Sequence, residues 1–161
     1  MGGNALYDRA GIRSISKNTR VRNGTVRGFL GHGLVGAALV ENLRVASNAG
    51  SGIVVSNGTT GPAQMARVVG VQVELNAGSG VQGRFVVIDR SVLSKNGEHG
   101  AWIGGATVRD SVLSFNGGHG IAGSATQPST LRGSDLVGNK DGVSNGGVQS
   151  LGGNFNGNNP F

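Results

Sequence analysis

The sequence predicts an all-β solenoid in which short parallel strands stack in successive coils. Three observations favour this fold: a repeat with a period near 20 residues, apolar residues spaced by two within each repeat, and 32 glycines among 161 residues. A spacing of two is that of a strand, and no long stretch has the three-and-four spacing of a helix. Hydrophobic residues make up 37% of the chain and charged residues only 14%, a composition that argues against disorder.

The repeats align on one asparagine each, with apolar residues three and eight places before it. The asparagines are Asn48, Asn76, Asn96, Asn116 and Asn139. The apolar residues eight places earlier are Val40, Val68, Ile88, Val108 and Leu131. The residues three places earlier are Val45, Val73, Leu93, Leu113 and Leu136. An earlier repeat carries Phe29 at the asparagine position. Because strands of successive coils stack in register, each set is expected to form one buried column.

Each repeat contains three short apolar patches, which predicts three strands per coil and three parallel sheets around one core. Six repeats and a fragment at each end give about six to seven coils. The chain is expected to be one domain over residues 1–161. Within it, residues 1–11 would form an N-terminal cap, 12–151 the coils and 152–161 a C-terminal tail. Leu6 and Tyr7 at one end, and Phe155 and Phe161 at the other, are expected to cover the end coils.

Two polar columns are predicted to be structural. Stacked asparagines satisfy both each other and the backbone of a bend, as in other parallel stacks. Five places before the asparagines, the sequence has Gly24, Leu43, Val71, Ser91, Ser111 and Ser134. The serines of that column must find partners inside the solenoid for their hydroxyl groups.

The stretch "ATVRDSVLSFNGGHGI", residues 106–121, resembles the right-handed parallel β-helix repeat family, which is related in fold to pectate lyases and polygalacturonases. The resemblance covers about residues 12–151. It implies a right-handed parallel β-helix with light end caps. The group includes polysaccharide lyases, hydrolases and epimerases, so the resemblance also implies a carbohydrate-directed role and a secreted or cell-surface parent. No signal peptide is expected in this chain, because its N-terminus lacks an apolar core.

Gly-His-Gly at His119 also occurs in polygalacturonases, where the resemblance would make the histidine a catalytic assistant. The Asp-Asp and Asn-Thr-Asp motifs of those enzymes are absent here. The eight acidic residues are expected to fall in different columns, which disfavours both two-carboxylate hydrolysis and calcium-assisted elimination. His32, His99 and His119 share a repeat position with Ser51 and Ser79, so this position is expected to be a solvated turn.

One polar cluster remains a candidate site. His99 and His119 are expected to be column neighbours, with Asp141 close by in the next, shorter coil. The candidate catalytic residues are therefore His99, His119 and Asp141. The candidate carbohydrate-binding residues are Trp102, His99, His119 and Glu98, because an outward-facing indole beside polar groups can stack on a sugar ring.

The positive charge is concentrated at the N-terminus. Residues 1–27 contain six basic residues and one aspartate, whereas the whole chain has a net charge of +6. This pattern suits either a solvated end or a polyanion-binding surface. The candidate polyanion-binding residues are Arg9, Arg13, Lys17, Arg20, Arg22 and Arg27.

Several classes of function are disfavoured by what the sequence lacks. It has no cysteine, and no apolar run of about 18 residues that could span a membrane. No cofactor and no metal site are predicted. Two insertions, residues 56–67 and 124–130, interrupt the period and could carry a site.

These observations favour a non-enzymatic structural or binding scaffold that is directed to carbohydrate. The alternative is a polysaccharide lyase or hydrolase that acts on acidic glycans. An acidic polysaccharide is the expected partner, self-association through the coil ends is a second expectation, and nucleic acid is disfavoured. The light caps also suit a truncated or engineered solenoid, or a piece of a larger protein.

Overall fold

The computed structural model describes residues 9–16, 18–55 and 65–157, and these residues form a β-solenoid of seven coils. All named strand pairs are parallel, and the described residues contain no helix. No helix that could cross a membrane is therefore found among them. The predicted fold class is confirmed.

One side of the solenoid is a seven-stranded sheet that receives one strand from each coil. Its strands are Ile12–Arg13 (β1), Leu34–Val35 (β3), Ile53–Val54 (β5), Val81–Arg84 (β8), Ala101–Gly104 (β11), Ile121–Ala122 (β14) and Ser144–Asn145 (β17).

The other two sides belong to a twelve-stranded sheet and are called here the first face and the second face. Two long strands, Arg20–Arg27 (β2) and Leu39–Ala46 (β4), run across both faces. The later coils are bent between the faces. The first face continues with Ala66–Val69 (β6), Val86–Asp89 (β9), Thr107–Arg109 (β12), Ser129–Arg132 (β15) and Val148–Ser150 (β18). The second face continues with Gln72–Glu74 (β7), Val92–Ser94 (β10), Val112–Ser114 (β13), Asp135–Val137 (β16) and Phe155–Asn156 (β19). The three expected sides are present, and two of them merge at β2 and β4.

Both apolar columns are continuous and buried. Val40 pairs in register with Val68, and the column continues through Ile88, Val108 and Leu131. Every member of the two columns is at most 1% exposed. Burial of these branched side chains provides the main apolar stabilisation of the solenoid, at about 1.5–3 kcal/mol for each fully buried side chain.

The asparagine column is a hydrogen-bonded ladder. The Nδ2 atoms of Asn48, Asn76, Asn96 and Asn116 each donate to Oδ1 of the asparagine in the next coil, at 2.8–3.0 Å. The same Oδ1 atom also accepts the backbone N–H of the preceding asparagine. A second Nδ2 hydrogen bond reaches a backbone carbonyl of the preceding coil, such as the Leu93 carbonyl for Asn116. The ladder thus satisfies buried polar groups of the bend, as predicted.

The serine column forms a second ladder. Each hydroxyl of Ser91, Ser111 and Ser134 donates to the carbonyl two residues earlier in its own coil. It also accepts a backbone N–H from the coil before it. Asn154 ends this ladder, because its Oδ1 accepts the Ser134 N–H at 3.0 Å.

The ends of the solenoid differ from the expectation in one respect. Phe155 does not cover the last coil; it begins β19, pairs with Asp135 and is 53% exposed. A strand therefore lies inside the segment that was expected to be a tail. The predicted cap residues Leu6, Tyr7 and Phe161 lie outside the described residues.

Candidate functional site

The outer surface of the first face is rich in charged residues. Along each strand, the neighbours of the buried apolar column point outward because side chains alternate across a strand. Six arginines and three acidic residues occupy this surface and its adjoining bend: Arg20, Arg22, Arg67, Arg90, Arg109 and Arg132, with Glu41, Asp89 and Asp110.

A cleft of about 480 Å³ opens on this surface, over the β2, β4 and β6 strands. Its apolar lining comes from Ala38, Leu39, Met65 and Val69. Its polar lining comes from Asn18, Arg20, Glu41, Arg67 and Arg90. The cleft therefore combines an apolar surface with several hydrogen-bond donors.

The cleft has an excess of positive charge. Three arginines face one glutamate there, which gives a local charge of plus two. Glu41 is also 4.0 Å from Arg22, across the neighbouring strand. Within the described part of the chain, neither Arg20 nor Arg67 has a carboxylate partner, so both guanidinium groups can bind an anion.

Asp89 lies beside the cleft and is held by two arginines. Nε of Arg109 donates to Oδ1 of Asp89 at 3.0 Å, and Nη2 of Arg109 donates to Oδ2 at 3.3 Å. Nη2 of Arg90 is 3.4 Å from the same Oδ2. Asp89 is only 3% exposed although it lies on the outer side of the strand.

The expectation that the acidic residues fall in different columns is wrong for Glu41 and Asp89. Glu41 pairs with Val69, and Val69 pairs with Asp89, so the two carboxylates belong to one column two coils apart. Two coils separate Cα atoms by about 9.6 Å. Both oxygens of Asp89 accept hydrogen bonds from Arg109 and the side chain is buried, which disfavours Asp89 as the base that activates water in hydrolysis.

His99 and His119 are neighbours, as predicted. Their rings stack with centroids 5.6 Å apart and planes at 9°. Nδ1 of His99 accepts the backbone N–H of His119 at 3.0 Å, which fixes the tautomer of His99. Burial lowers the pKa of His99 below the ordinary value of 6.5; His119 lowers this pKa further, whereas Glu98 and Asp141 raise it.

The histidine position is not the solvated turn that the sequence suggested. His32 is 5% exposed and Ser51 is 3% exposed, and Nδ1 of His32 accepts the Ser51 N–H at 2.9 Å. Burial lowers the pKa of His32 as well. Side chains at this position bond to the next coil: Nδ1 of His32 and of His99 accepts a backbone N–H, whereas the hydroxyls of Ser51 and Ser79 donate to the side chains of Gln82 and Glu98. In the shortened coil after His119 this bond is lost, and the buried Nδ1 of His119 has no partner among the described residues.

The remaining residues of the predicted cluster lie around this histidine pair. Trp102 follows on β11 and points outward, 51% exposed, between Gln82 and Ala122 of the adjacent strands. A carboxylate oxygen of Glu98 accepts the Ser79 hydroxyl at 3.0 Å. The Asp141 backbone donates to the Gly118 carbonyl, which places Asp141 beside the coil of His119. No group of three or more residues in the described ranges could hold a metal ion.

The predicted basic residues do not form one patch. Arg13 is on β1, in the seven-stranded sheet, whereas Arg20 and Arg22 are on the first face and Arg27 is at the far end of β2. Arg9 is an exposed turn residue, and Lys17 lies outside the described residues. Of the described residues in this set, only Arg20 lines the cleft. Charge counting along the chain missed Arg67 and Arg90, because the solenoid brings them beside Arg20 from distant repeats.

The two insertions also lie apart. Residues 56–64 of the first insertion are outside the described residues, but Met65 and Arg67 at its end line the cleft. In the second insertion, Ser124 and Gln127 form an isolated antiparallel bridge, and strand β15 begins at Ser129. Of the described residues of the two insertions, only Met65 and Arg67 line the basic cleft.

Two solved structures are similar to this chain. They are the A-modules of the Azotobacter vinelandii mannuronan C-5 epimerases AlgE4, with a TM-score of 0.62 and 16% identity, and AlgE6, with a TM-score of 0.60 and 19% identity. Each match covers 83% of this chain but only 39% or 38% of the A-module, so the chain spans about two fifths of their length. No protein-family model and no curated protein sequence matches the chain. At this identity the likeness is one of fold, and the fold is the parallel β-helix.

Proposed function

We propose that this chain is a β-helix module that binds an acidic polysaccharide, with a sugar carboxylate in the basic cleft of the first face. The observation that carries the proposal is the position of Arg20 and Arg67 on either side of Leu39 in the cleft, without carboxylate partners for either arginine in the described part of the chain. Arginine presents a planar fork of donors that matches a carboxylate, so a repeating uronic acid suits this cleft better than a neutral sugar.

The apolar part of the cleft supports a sugar ligand rather than a small inorganic anion. Leu39, Met65 and Val69 form a surface on which the C–H face of a pyranose ring can lie. Met65 is 49% exposed there, so ligand binding would remove apolar area from water. The two structural neighbours are named for mannuronan, an acidic polymer, which makes oligomannuronate a suitable first probe.

The arginines next to the carboxylates near the cleft favour binding without catalysis. Hydrolysis requires one carboxyl group as an acid and another to activate water. Asp89 has both oxygens bound to arginine, and Glu41 is close to Arg22. The proposed role is therefore that of a non-enzymatic binding scaffold.

A polysaccharide lyase is the second candidate, and it would use the histidine pair. The lowered pKa of His99 favours a neutral imidazole, and because its Nδ1 accepts the His119 N–H, its Nε2–H is the group that can donate a hydrogen bond to a sugar oxygen. Trp102 beside it offers a surface for a sugar ring. A screen for unsaturated products from pectate and alginate, with and without calcium, tests this alternative.

Calorimetric titration with oligomannuronate tests the binding proposal. Arg67→Gln is expected to weaken binding about tenfold or more, because a charge-assisted hydrogen bond contributes about 1.5–3 kcal/mol. Arg132→Gln is the matched control, because it removes the same charge from the same face outside the cleft. The same oligomer after reduction of its carboxyl groups should bind poorly. Equal binding of the reduced oligomer, or equal loss in both variants, would refute a carboxylate site in the cleft.

A further inference from the structure

Arg90 occupies a backbone position that is unfavourable for arginine. The bend between the two faces has a left-handed residue in each coil: Asn23, Asn42, Gly70, Arg90, Asp110, Gly133 and Gly153. Glycine, asparagine and aspartate tolerate this conformation, whereas for other residues it costs roughly 1–2 kcal/mol. Arg90 has a φ of 46°. Strain of this kind persists where the surrounding structure maintains it, and it often accompanies function.

The Asp89 carboxylate fixes the direction of the Arg90 side chain. Asp89 is itself held by the two hydrogen bonds from Arg109, and its Oδ2 is 3.4 Å from Nη2 of Arg90. One edge of the Arg90 guanidinium therefore faces a buried, fixed anion. A guanidinium has five N–H donors, so its other donors remain for a ligand.

The exposed part of Arg90 points to the cleft. The Arg90 side chain is 68% exposed and lines the cleft together with Arg20 and Arg67. In the preceding coil, the residue beside Arg90 is Gly70, which has no side chain, and Oδ1 of Asn42 lies close to it. The Arg90 guanidinium is thus restrained on one edge and accessible on the other.

We propose that Asp89 is a positioning residue for the cleft: together with Arg109, it holds Arg90 in the orientation that receives a sugar carboxylate. The ligand class is a uronic acid oligomer, and the inference rests on the proposed function of the cleft. When a donor is already oriented before binding, less conformational entropy is lost when the ligand binds.

The sign of the change in oligomannuronate affinity caused by Asp89→Asn distinguishes a positioning role from a purely electrostatic one. Asp89→Asn removes a negative charge beside a basic cleft, and a purely electrostatic role would therefore strengthen oligomannuronate binding. The positioning role predicts weaker binding instead, by roughly threefold to tenfold, as for one weakened charge-assisted contact. Asp110→Asn is the matched control: it makes the same charge change one coil further along, and it should leave affinity unchanged or slightly higher.

Two Arg90 variants keep the test decisive if Asp89→Asn destabilises the fold. Arg90→Lys keeps the charge on an exposed side chain but loses the planar fork, and it should weaken binding by a similar factor. In the Arg90→Gln background, Asp89→Asn should cause no further loss, because Asp89 acts through Arg90.

Calorimetric titration of the wild-type chain and these variants, with thermal melts beside it, decides the outcome. The slope of affinity against salt concentration should fall in Arg90→Gln, which loses the charge, and not in Arg90→Lys, which keeps it; a general loss of stability would not produce this difference. Arg90→Lys that binds as well as wild type, or Asp89→Asn that binds more tightly, would overturn the positioning role alone. Failure of the wild-type chain to bind oligomannuronate would overturn the proposed function and this inference together.

Discussion

Nδ2 of Asn96 donates to Oδ1 of Asn116 at 3.0 Å, and Nδ2 of Asn116 donates in turn to Oδ1 of Asn139 at 2.8 Å. Asn116 therefore links the coil before it to the coil after it. Removing one member leaves buried groups without partners on both sides.

Asn116→Ala is expected to lower the free energy of unfolding by about 1–3 kcal/mol, the cost of buried unsatisfied polar groups. The change leaves the N–H of Asn96 and the carbonyl of Leu93 without their amide partner. Chemical denaturation of this variant and of Asn145→Ala, an exposed asparagine on β17, provides the comparison. Equal stability of the two variants would contradict a structural role for the ladder.

Lys95→Gly is expected to be more stable than Lys95→Ala by about 1 kcal/mol. Lys95 is exposed and has a φ of 54°, a conformation that disfavours any residue with a Cβ. Both variants remove the same charge, so their difference in thermal stability reports the backbone. Part of the gain is offset by the greater freedom of glycine in the unfolded chain. Greater stability of the alanine variant would show that the bend is not strained.

The stability of the protein should decrease as the pH falls through about 6.5, the ordinary histidine pKa. The folded-state pKa of His99 lies below that value, so the unfolded chain binds the proton more readily. The contribution is fully present above the unfolded pKa and is lost as the pH falls from there toward the folded pKa. Denaturation curves measured across this pH range should show that the free energy of unfolding depends less on pH in His99→Ser than in wild type. An unchanged pH dependence would show that His99 does not cause it.

His119→Ser should leave the fold intact and change stability by less than about 0.5 kcal/mol. Ser51 and Ser79 already occupy this repeat position, and Nδ1 of His119 makes no hydrogen bond within the described residues. A thermal melt checks stability, and the glycan screen checks for turnover. Loss of a measurable activity in this variant would favour the lyase alternative.

Arg20→Gln should weaken oligomannuronate binding, whereas Arg27→Gln should not. Both arginines lie on β2 and both changes remove one charge, but only Arg20 lines the cleft. Retention on a polyuronate column at increasing salt provides the measurement, because binding to a polyanion releases counterions. Equal effects of the two variants would indicate that the whole basic N-terminal region, and not the cleft, binds the polyuronate.

The ladders could be predicted from the sequence because a parallel solenoid places equal repeat offsets in one column. The strained bend that follows the second face could not be predicted. Its residues Leu75, Lys95 and Phe115 are not types that favour the left-handed backbone found there. The histidine position was wrongly expected to be solvated, because an alternation of serine and histidine reveals side-chain chemistry but not burial. The cleft was missed because Arg20 and Arg67 are brought together across an insertion that breaks the repeat.

A crystal structure of the chain with an oligomannuronate tests the central claim most directly. The account predicts a sugar carboxylate within hydrogen-bonding distance of Arg20 or Arg67, with the sugar ring against Leu39 and Met65. An oligomer bound instead against Trp102 and His99, with the first-face cleft empty, would contradict it.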